Sequence, residues 1–210
     1  MADPVGALTR MSGFSYYGGM ILSMSLFVWY ARKHKLSTIH VFDAVMPALA
    51  LAYGFGRLGC HVSGDGDWGI PNDNPMPEWL SFLPGWVWAY DYPNNVLGVD
   101  LITYYASKGY TSLTGMAYPT PIYEILMSIV IFAILMAMRK RWTVPGTMIC
   151  GYFILAGIER LIIERIRINN EYDILGGITQ AEIISTIMIV LGVLGFYYLP
   201  KGAGARWAKF

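Results

Sequence analysis

Residues 39–59 read IHVFDAVMPALALAYGFGRLG, and the arginine near the end of this apolar run decides how the chain is read. A helix crossing the hydrocarbon core of a bilayer needs about 20 mostly apolar residues. Arg57 closes the run 41–55, and Arg160, in Glu159-Arg160-Leu161-Ile162-Ile163-Glu164, closes the run 146–158. A charge near membrane depth is costly and marks a functional site by default. If both arginines reach the same membrane face, they form a cationic site beside the lipid headgroups, for which a phosphate is the natural guest.

Working outward, 55% of the 210 residues are hydrophobic and 14% are charged, against about 25% charged in an ordinary soluble domain. The length predicts one integral membrane domain over 1–210. A net charge of +1 argues against nucleic acid as a partner, because no basic block is present to neutralise a run of phosphates. Cys60 and Cys150 make no disulfide framework. Residues 1–12 lack the basic start and apolar centre of a cleavable signal peptide, so the first apolar segment is expected to be a permanent span.

The fold class expected is all-α, a polytopic transmembrane helix bundle of about five spans at 14–30, 39–59, 121–138, 146–163 and 179–199. Small residues (Gly18, Gly19, Ala48, Ala50, Ala52, Gly54, Gly151, Gly157) predict close helix–helix approach. Basic residues set the orientation. Arg32, Lys33 and Lys35, then Arg139, Lys140 and Arg141, then Lys201, Arg206 and Lys209 occupy alternate connections. The long connection 61–118 holds six acids and only Lys108. It is therefore expected to be an extracytoplasmic arm between spans two and three, with the basic loops in the cytoplasm. Arg165 and Arg167 break the rule and need a purpose.

The outer ends of the spans then gather the polar residues. Tyr16 and Tyr17 open span one, Arg57 closes span two, Tyr123 and Glu124 open span three, Arg160, Glu164 and Arg167 close span four, and Gln180 and Glu182 open span five. Arg160, Glu164 and Arg167 follow a spacing that a continuing helix would put on one face, readable as a self-neutralising ion-pair ladder. Arg57 has no carboxylate at helical spacing, and a guanidinium grips phosphate as a bidentate fork. The loop Gly64–Gly69 is acidic but lacks the ligand pattern of a calcium loop, and Cys60-His61 alone is a weak zinc signal. Packing at a helix end is the plainer reading of His61, which also stands four residues beyond Arg57 with an imidazole suited to accepting a proton. Trp79, Trp86, Trp88, Tyr90 and Tyr92 are expected to form an interfacial aromatic belt.

Together these motifs resemble the prolipoprotein diacylglyceryl transferase family. Phe14–Ile21 resembles its segment of aromatic, His and Gly-Gly. Gly56-Arg57-Leu58-Gly59 through Asp65 and Trp68-Gly69 resembles its signature GRxGNFxNxExxG. Residues 119–124 resemble HPxxLYE, the Arg160…Glu164…Arg167 spacing resembles RFxxExxR, and 178–185 resembles the glutamine-containing start of its last helix. The chain departs from the pattern at Tyr17 and Tyr118, where the family has histidines, at Cys60 and His61, and by one extra residue before Trp68. Members also carry further membrane segments before the first motif, so the chain resembles an amino-terminally short member.

The resemblance implies transfer of the sn-1,2-diacylglyceryl group of phosphatidylglycerol to the lipobox cysteine thiol of a prolipoprotein signal peptide. It implies a bacterial inner-membrane setting, contact with the lipid bilayer, a site towards the outer face, and neither metal nor organic cofactor. On this reading Arg57, Arg160, Glu164 and Tyr17 are catalytic. Substrate is bound by Arg57, Arg160, Arg167, Tyr123, Glu124, Gly69 and Gln180. The residues alone leave open a small transporter or channel subunit, although no internal repeat is visible and the charges sit at one face rather than at mid-membrane. An inactive fragment of the transferase is the remaining alternative.

Overall fold

The computed structural model describes residues 16–168 and 178–199, the side chains of Tyr16, Tyr17 and Met20 excepted. Among them are six α-helices and no strand: α1 (Tyr16–Lys33), α2 (Thr38–Ser63), α3 (Leu101–Ser107), α4 (Thr120–Met138), α5 (Thr147–Glu164) and α6 (Gln180–Tyr198). Two 3₁₀ turns, Glu78–Leu80 and Gly85–Val87, lie in the connection before α3. Five of the helices coincide with the five apolar segments. Three of these, α2, α4 and α6, are long and apolar enough to cross a membrane. The 18-residue α5 carries Glu159, Arg160 and Glu164, and the 18-residue α1 ends in Arg32 and Lys33.

The bundle is two tight pairs, α2 against α4 and α5 against α6, joined through α5. Small residues set both seams. A side chain at Gly54 would run into the Ser128 hydroxyl, and one at Gly157 would lie 2.9 Å from the Ser185 carbonyl oxygen. Gly192 stands equally close to the Cys150 carbonyl, 2.7 Å from where its Cβ would be. Without a hydrophobic drive between helices in lipid, such backbone proximity is what favours association. Ala50 is buried while Ala48 and Ala52 face outward. Gly18 and Gly19 meet no neighbour among the described residues, so the expected close approach is absent there. Met46, Ala50, Ile131, Leu135 and Met148 form the apolar core of the bundle.

Two contacts fix which ends lie together. The Asp43 carboxylate, near the start of α2, accepts the amides of Gly146 (2.6 Å) and Ile149 (3.1 Å), and so caps α5 from outside its own sequence. At the opposite end α2 stops at Gly64, left-handed at φ 59°, whose N–H returns to the Cys60 carbonyl at 2.9 Å. The starts of α4 and α6 and the end of α5 lie at this second end, where the long connection also folds.

That connection has a core of its own. Trp68, Tyr92, Leu101, Tyr105 and Ala117 are buried together, and backbone bonds between Tyr90 and Ala117 (3.0 and 2.9 Å) close it. The expected belt is thus corrected for Tyr92, which is 2% exposed, while Trp79 remains 73% exposed. Burial pushes the Tyr92 and Tyr105 phenols above their ordinary range. At its outer edge Asp73 accepts from the Thr114 hydroxyl (2.6 Å) and from the Leu113 amide (2.9 Å). These bonds hold its carboxyl below the ordinary value. The clasp therefore contributes above the unfolded pKa and is lost as pH falls through the depressed one.

Candidate functional site

Glu124 lies in the first turns of α4 and is completely buried. A lone carboxylate there would be prohibitively costly, and four side chains converge on it. Tyr53 donates its hydroxyl to Oε1 at 2.7 Å, and Arg57 Nε stands 3.1 Å from Oε2. Arg160 Nη1 and Arg167 Nη1 lie 3.5 and 4.0 Å from Oε1. Asp67 offers one oxygen to Arg57 and the other to Arg167. Glu164 pairs with Arg160 Nη2 at 3.1 Å and accepts the Thr179 hydroxyl at 2.5 Å. Three guanidinia and three carboxylates thus balance in a continuous network.

Each member is delivered by a definite local device. Arg57 follows Tyr53 by one turn, and its guanidinium stands 5.0 Å from the centre of the Tyr53 ring. The backbone carbonyl of Asp67 accepts from the Thr120 hydroxyl at 2.5 Å, tying its loop to the start of α4. Thr179 caps α6 in a capping box with Glu182 while also reaching Glu164. The shared helical face expected for Arg160, Glu164 and Arg167 is corrected at its last member. Helix α5 ends at Glu164, and Arg167 arrives through an isolated bridge opposite Gly69, where Ile70 N–H bonds the Ile166 carbonyl at 2.9 Å. Arg57, unpaired at helical spacing, finds its carboxylates across space.

Gly69 is the crossing point of this end. Its N–H bonds the Tyr118 carbonyl at 2.9 Å and its carbonyl accepts the Tyr105 hydroxyl at 2.8 Å. A Cβ here would collide with the Ile166 carbonyl oxygen and lie 2.9 Å from Tyr118 Cβ. Gly69→Ala is therefore expected to lower stability by about 1–3 kcal/mol through overpacking. A thermal melt in detergent checks this, and an unchanged midpoint would show that the crossing relaxes freely.

Beside the network is a cavity of about 410 Å³ between α2, α4, α5 and α6. Its polar end carries Tyr53, Arg57, Glu159, Arg160 and Gln180, and its apolar walls come from Ala50, Ile131, Ala156, Ile184 and Met188. Arg160 Nη1 and Glu159 Oε1 are buried and make no hydrogen bond. The cavity is amphipathic, as a site for a headgroup continuing into hydrocarbon must be.

The structure thus brings together Arg57, Glu124, Arg160, Glu164 and Arg167, and puts Gln180 on the cavity. Tyr123 is half-buried near Tyr118 and Tyr92, outside the cavity wall. The Tyr17 side chain lies outside the described residues. His61 packs among Trp86, Tyr90 and Tyr92, with Nδ1 3.2 Å from the Tyr92 hydroxyl. Cys60, Asp65 and Asp67 hold potential ligand atoms within 4.8 Å of one another, but Asp67 is already engaged by two arginines. Sequence reasoning missed Tyr53, Glu159 and Thr179, and read Asp67 only as part of an acidic loop. The available signal was position: Tyr53 stands one turn before Arg57, and Glu159 directly precedes Arg160.

A sequence profile described as prolipoprotein diacylglyceryl transferase matches residues 3–198. Three similar proteins carry the name phosphatidylglycerol–prolipoprotein diacylglyceryl transferase. The one from Xylella fastidiosa (strain 9a5c) is 26% identical over 88% of this chain and 62% of its own length. That from Psychrobacter arcticus is 28% identical over 94% and 67%, and that from Stenotrophomonas maltophilia is 27% identical over 87% and 60%. The chain therefore spans about three-fifths to two-thirds of the length of these curated relatives.

Proposed function

The chain belongs to the prolipoprotein diacylglyceryl transferase family, and from that premise we propose that it moves the diacylglyceryl group of phosphatidylglycerol to a lipobox cysteine thiol. The observation that carries this reading is the pair Arg57 and Arg160, held on one buried carboxylate at the polar end of an amphipathic cavity. In the reaction the thiol sulfur attacks the sn-3 carbon of the diacylglyceryl group. The carbon–oxygen bond breaks with its electron pair going to the phosphate oxygen. The products are a thioether and glycerol phosphate, and the thiol proton passes to a base.

Negative charge grows on the departing phosphate, and preorganised donors aimed at it lower the barrier. Glu124, Asp67 and Glu164 hold the guanidinium planes, so the remaining N–H groups, Arg160 Nη1 among them, meet a phosphate without first being ordered. In this scheme Arg57 and Arg160 touch the phosphate, Glu164 orients Arg160, and Arg167 with Glu124 completes the frame. Gln180 binds the headgroup from the cavity wall, and Tyr123, outside that wall, is left out of the scheme. Gly69 allows the frame to close, and Tyr17 is assigned as a hydrogen-bond donor to the headgroup. The scheme uses side chains alone and requires no metal or organic cofactor. The apolar walls take the proximal acyl carbons.

Purified protein in phosphatidylglycerol vesicles, given a lipobox peptide, is expected to add diacylglyceryl mass to the peptide and release glycerol phosphate. Absence of both products overturns the proposal.

The protein is a membrane protein by family and by its apolar helices. We place it in the bacterial inner membrane with the site end outward, following the basic loops. With Cys60 and Cys150 replaced by Ser, Asn94→Cys in intact cells is expected to react with a membrane-impermeant maleimide and Ser37→Cys is not. The reverse pattern inverts the topology.

A further inference from the structure

The network leaves one acid over. Arg57, Arg160 and Arg167 are matched by Asp67, Glu124 and Glu164, whereas Glu159 takes part in none of the ion pairs among the described residues. It is 6% exposed, lines the cavity, and has Oε1 buried without a hydrogen-bond partner. A polar atom so placed is costly to retain unless something in the cavity uses it. The charged and titratable groups facing it are Tyr53 and Arg57 from α2, Glu124 from α4 and Arg160 on α5 itself. From α6 the cavity receives Gln180 and Ser185, which do not titrate.

We propose that Glu159 is the general base of the transfer reaction, taking the proton of the incoming thiol through its unpartnered oxygen. The assignment rests on the transferase reading above. Three observations converge on it. Glu164, the other acid beside Arg160, accepts the Thr179 hydroxyl through one oxygen and is ion-paired with Arg160 through the other, which makes no hydrogen bond, and it does not line the cavity as Glu159 does. The His61 ring is enclosed by aromatics away from the cavity wall. Charge also balances: the S–H proton moves to the Glu159 carboxylate as the carbon–sulfur bond forms. The carbon–oxygen pair leaves on phosphate, which goes from one negative charge to two. Thus Glu159 becomes neutral as the phosphate becomes a dianion, and four acids against three arginines become three against three while the extra charge develops. The proton later passes to water or to the released phosphate ester.

The test compares parent and Glu159→Gln in phosphatidylglycerol vesicles with two lipobox peptides, one with the cysteine thiol and one with a selenol, a stronger acid that ionises unaided. With the thiol peptide, Glu159→Gln is expected to lower kcat about 10²-fold or more. The acidic limb of its pH–rate profile should give way to a rise that follows the thiol's own ionisation near about 8.5. The selenol peptide should restore most of the rate. An unchanged rate and limb overturns the assignment while transfer by the parent keeps the transferase reading. A lost rate that selenol does not restore also overturns it, leaving Glu159 a packing role. Should Glu159→Gln not fold, Glu159→Asp carries the test, since it keeps a carboxylate one methylene further back. A reduced kcat that selenol restores then supports the base, and one that it does not restore overturns it. A parent inactive with both peptides removes the transferase reading and this assignment together.

Discussion

Arg160→Lys and Arg57→Lys are each expected to lower kcat by about 10²–10³, or about 2.7–4 kcal/mol of transition-state stabilisation. Both variants should still fold. Charge is conserved in each, so the loss measures geometry. Arg57 spans Glu124 through Nε and Asp67 through Nη1, and Arg160 spans Glu124 and Glu164 through its two terminal nitrogens. An ammonium is a point charge and cannot satisfy two carboxylates while presenting a planar edge to phosphate. Phosphatidylglycerol-vesicle assays at matched expression and melting temperature check this. Full turnover in either lysine variant removes the guanidinium fork from the mechanism.

The second large effect concerns stability. Glu124→Gln is expected to destabilise the protein by about 3–5 kcal/mol, the range for breaking a buried ion pair by removing one partner. Glu124 has no exposed surface and holds Arg57, Arg160 and, more distantly, Arg167. Neutralising it leaves three guanidinia with two ion-paired carboxylates, Asp67 and Glu164, and removes the one acid that joins all three. Tyr53 can still donate to the amide oxygen, so its hydrogen bond does not account for the loss. Unfolding in mixed micelles, followed by helical circular dichroism, measures the effect. A Glu124→Gln variant that unfolds like the parent would mean that Asp67, Glu164 and Glu159 suffice to neutralise the cluster.

The helices were legible because hydropathy and length are local properties. The segment 39–59 becomes Thr38–Ser63, a turn longer than read, because Gly59 looks like the stop that Gly64, left-handed at φ 59°, in fact supplies. Helix α3 was not read: it is seven residues long, with Asp100 as its cap accepting from the Thr103 amide. For the site, Arg57, Glu124, Arg160, Glu164 and Arg167 were found from motif and charge. Their pairing was not, since Arg57 meets Glu124 from another helix and Asp67 meets Arg167 across 100 residues. Glu159 escaped notice because adjacent residues on a helix point apart, so its place beside Arg160 says nothing about where it faces. Only the fold turns it toward the cavity.

The long-range pairing also sets a schedule for biogenesis. At a translation rate of about 5–20 residues per second, Asp67 emerges on the order of 5–20 s before Arg167, its partner 100 residues later. Arg57 meets Asp67 after only ten residues, so the first arginine of the network arrives with its own counter-ion. Glu124 then enters with two of its arginines still unsynthesised. During that interval Glu124 has only Arg57, itself shared with Asp67, as a counter-ion, which gives the insertion machinery a reason to retain α4 until Arg160 and Arg167 follow.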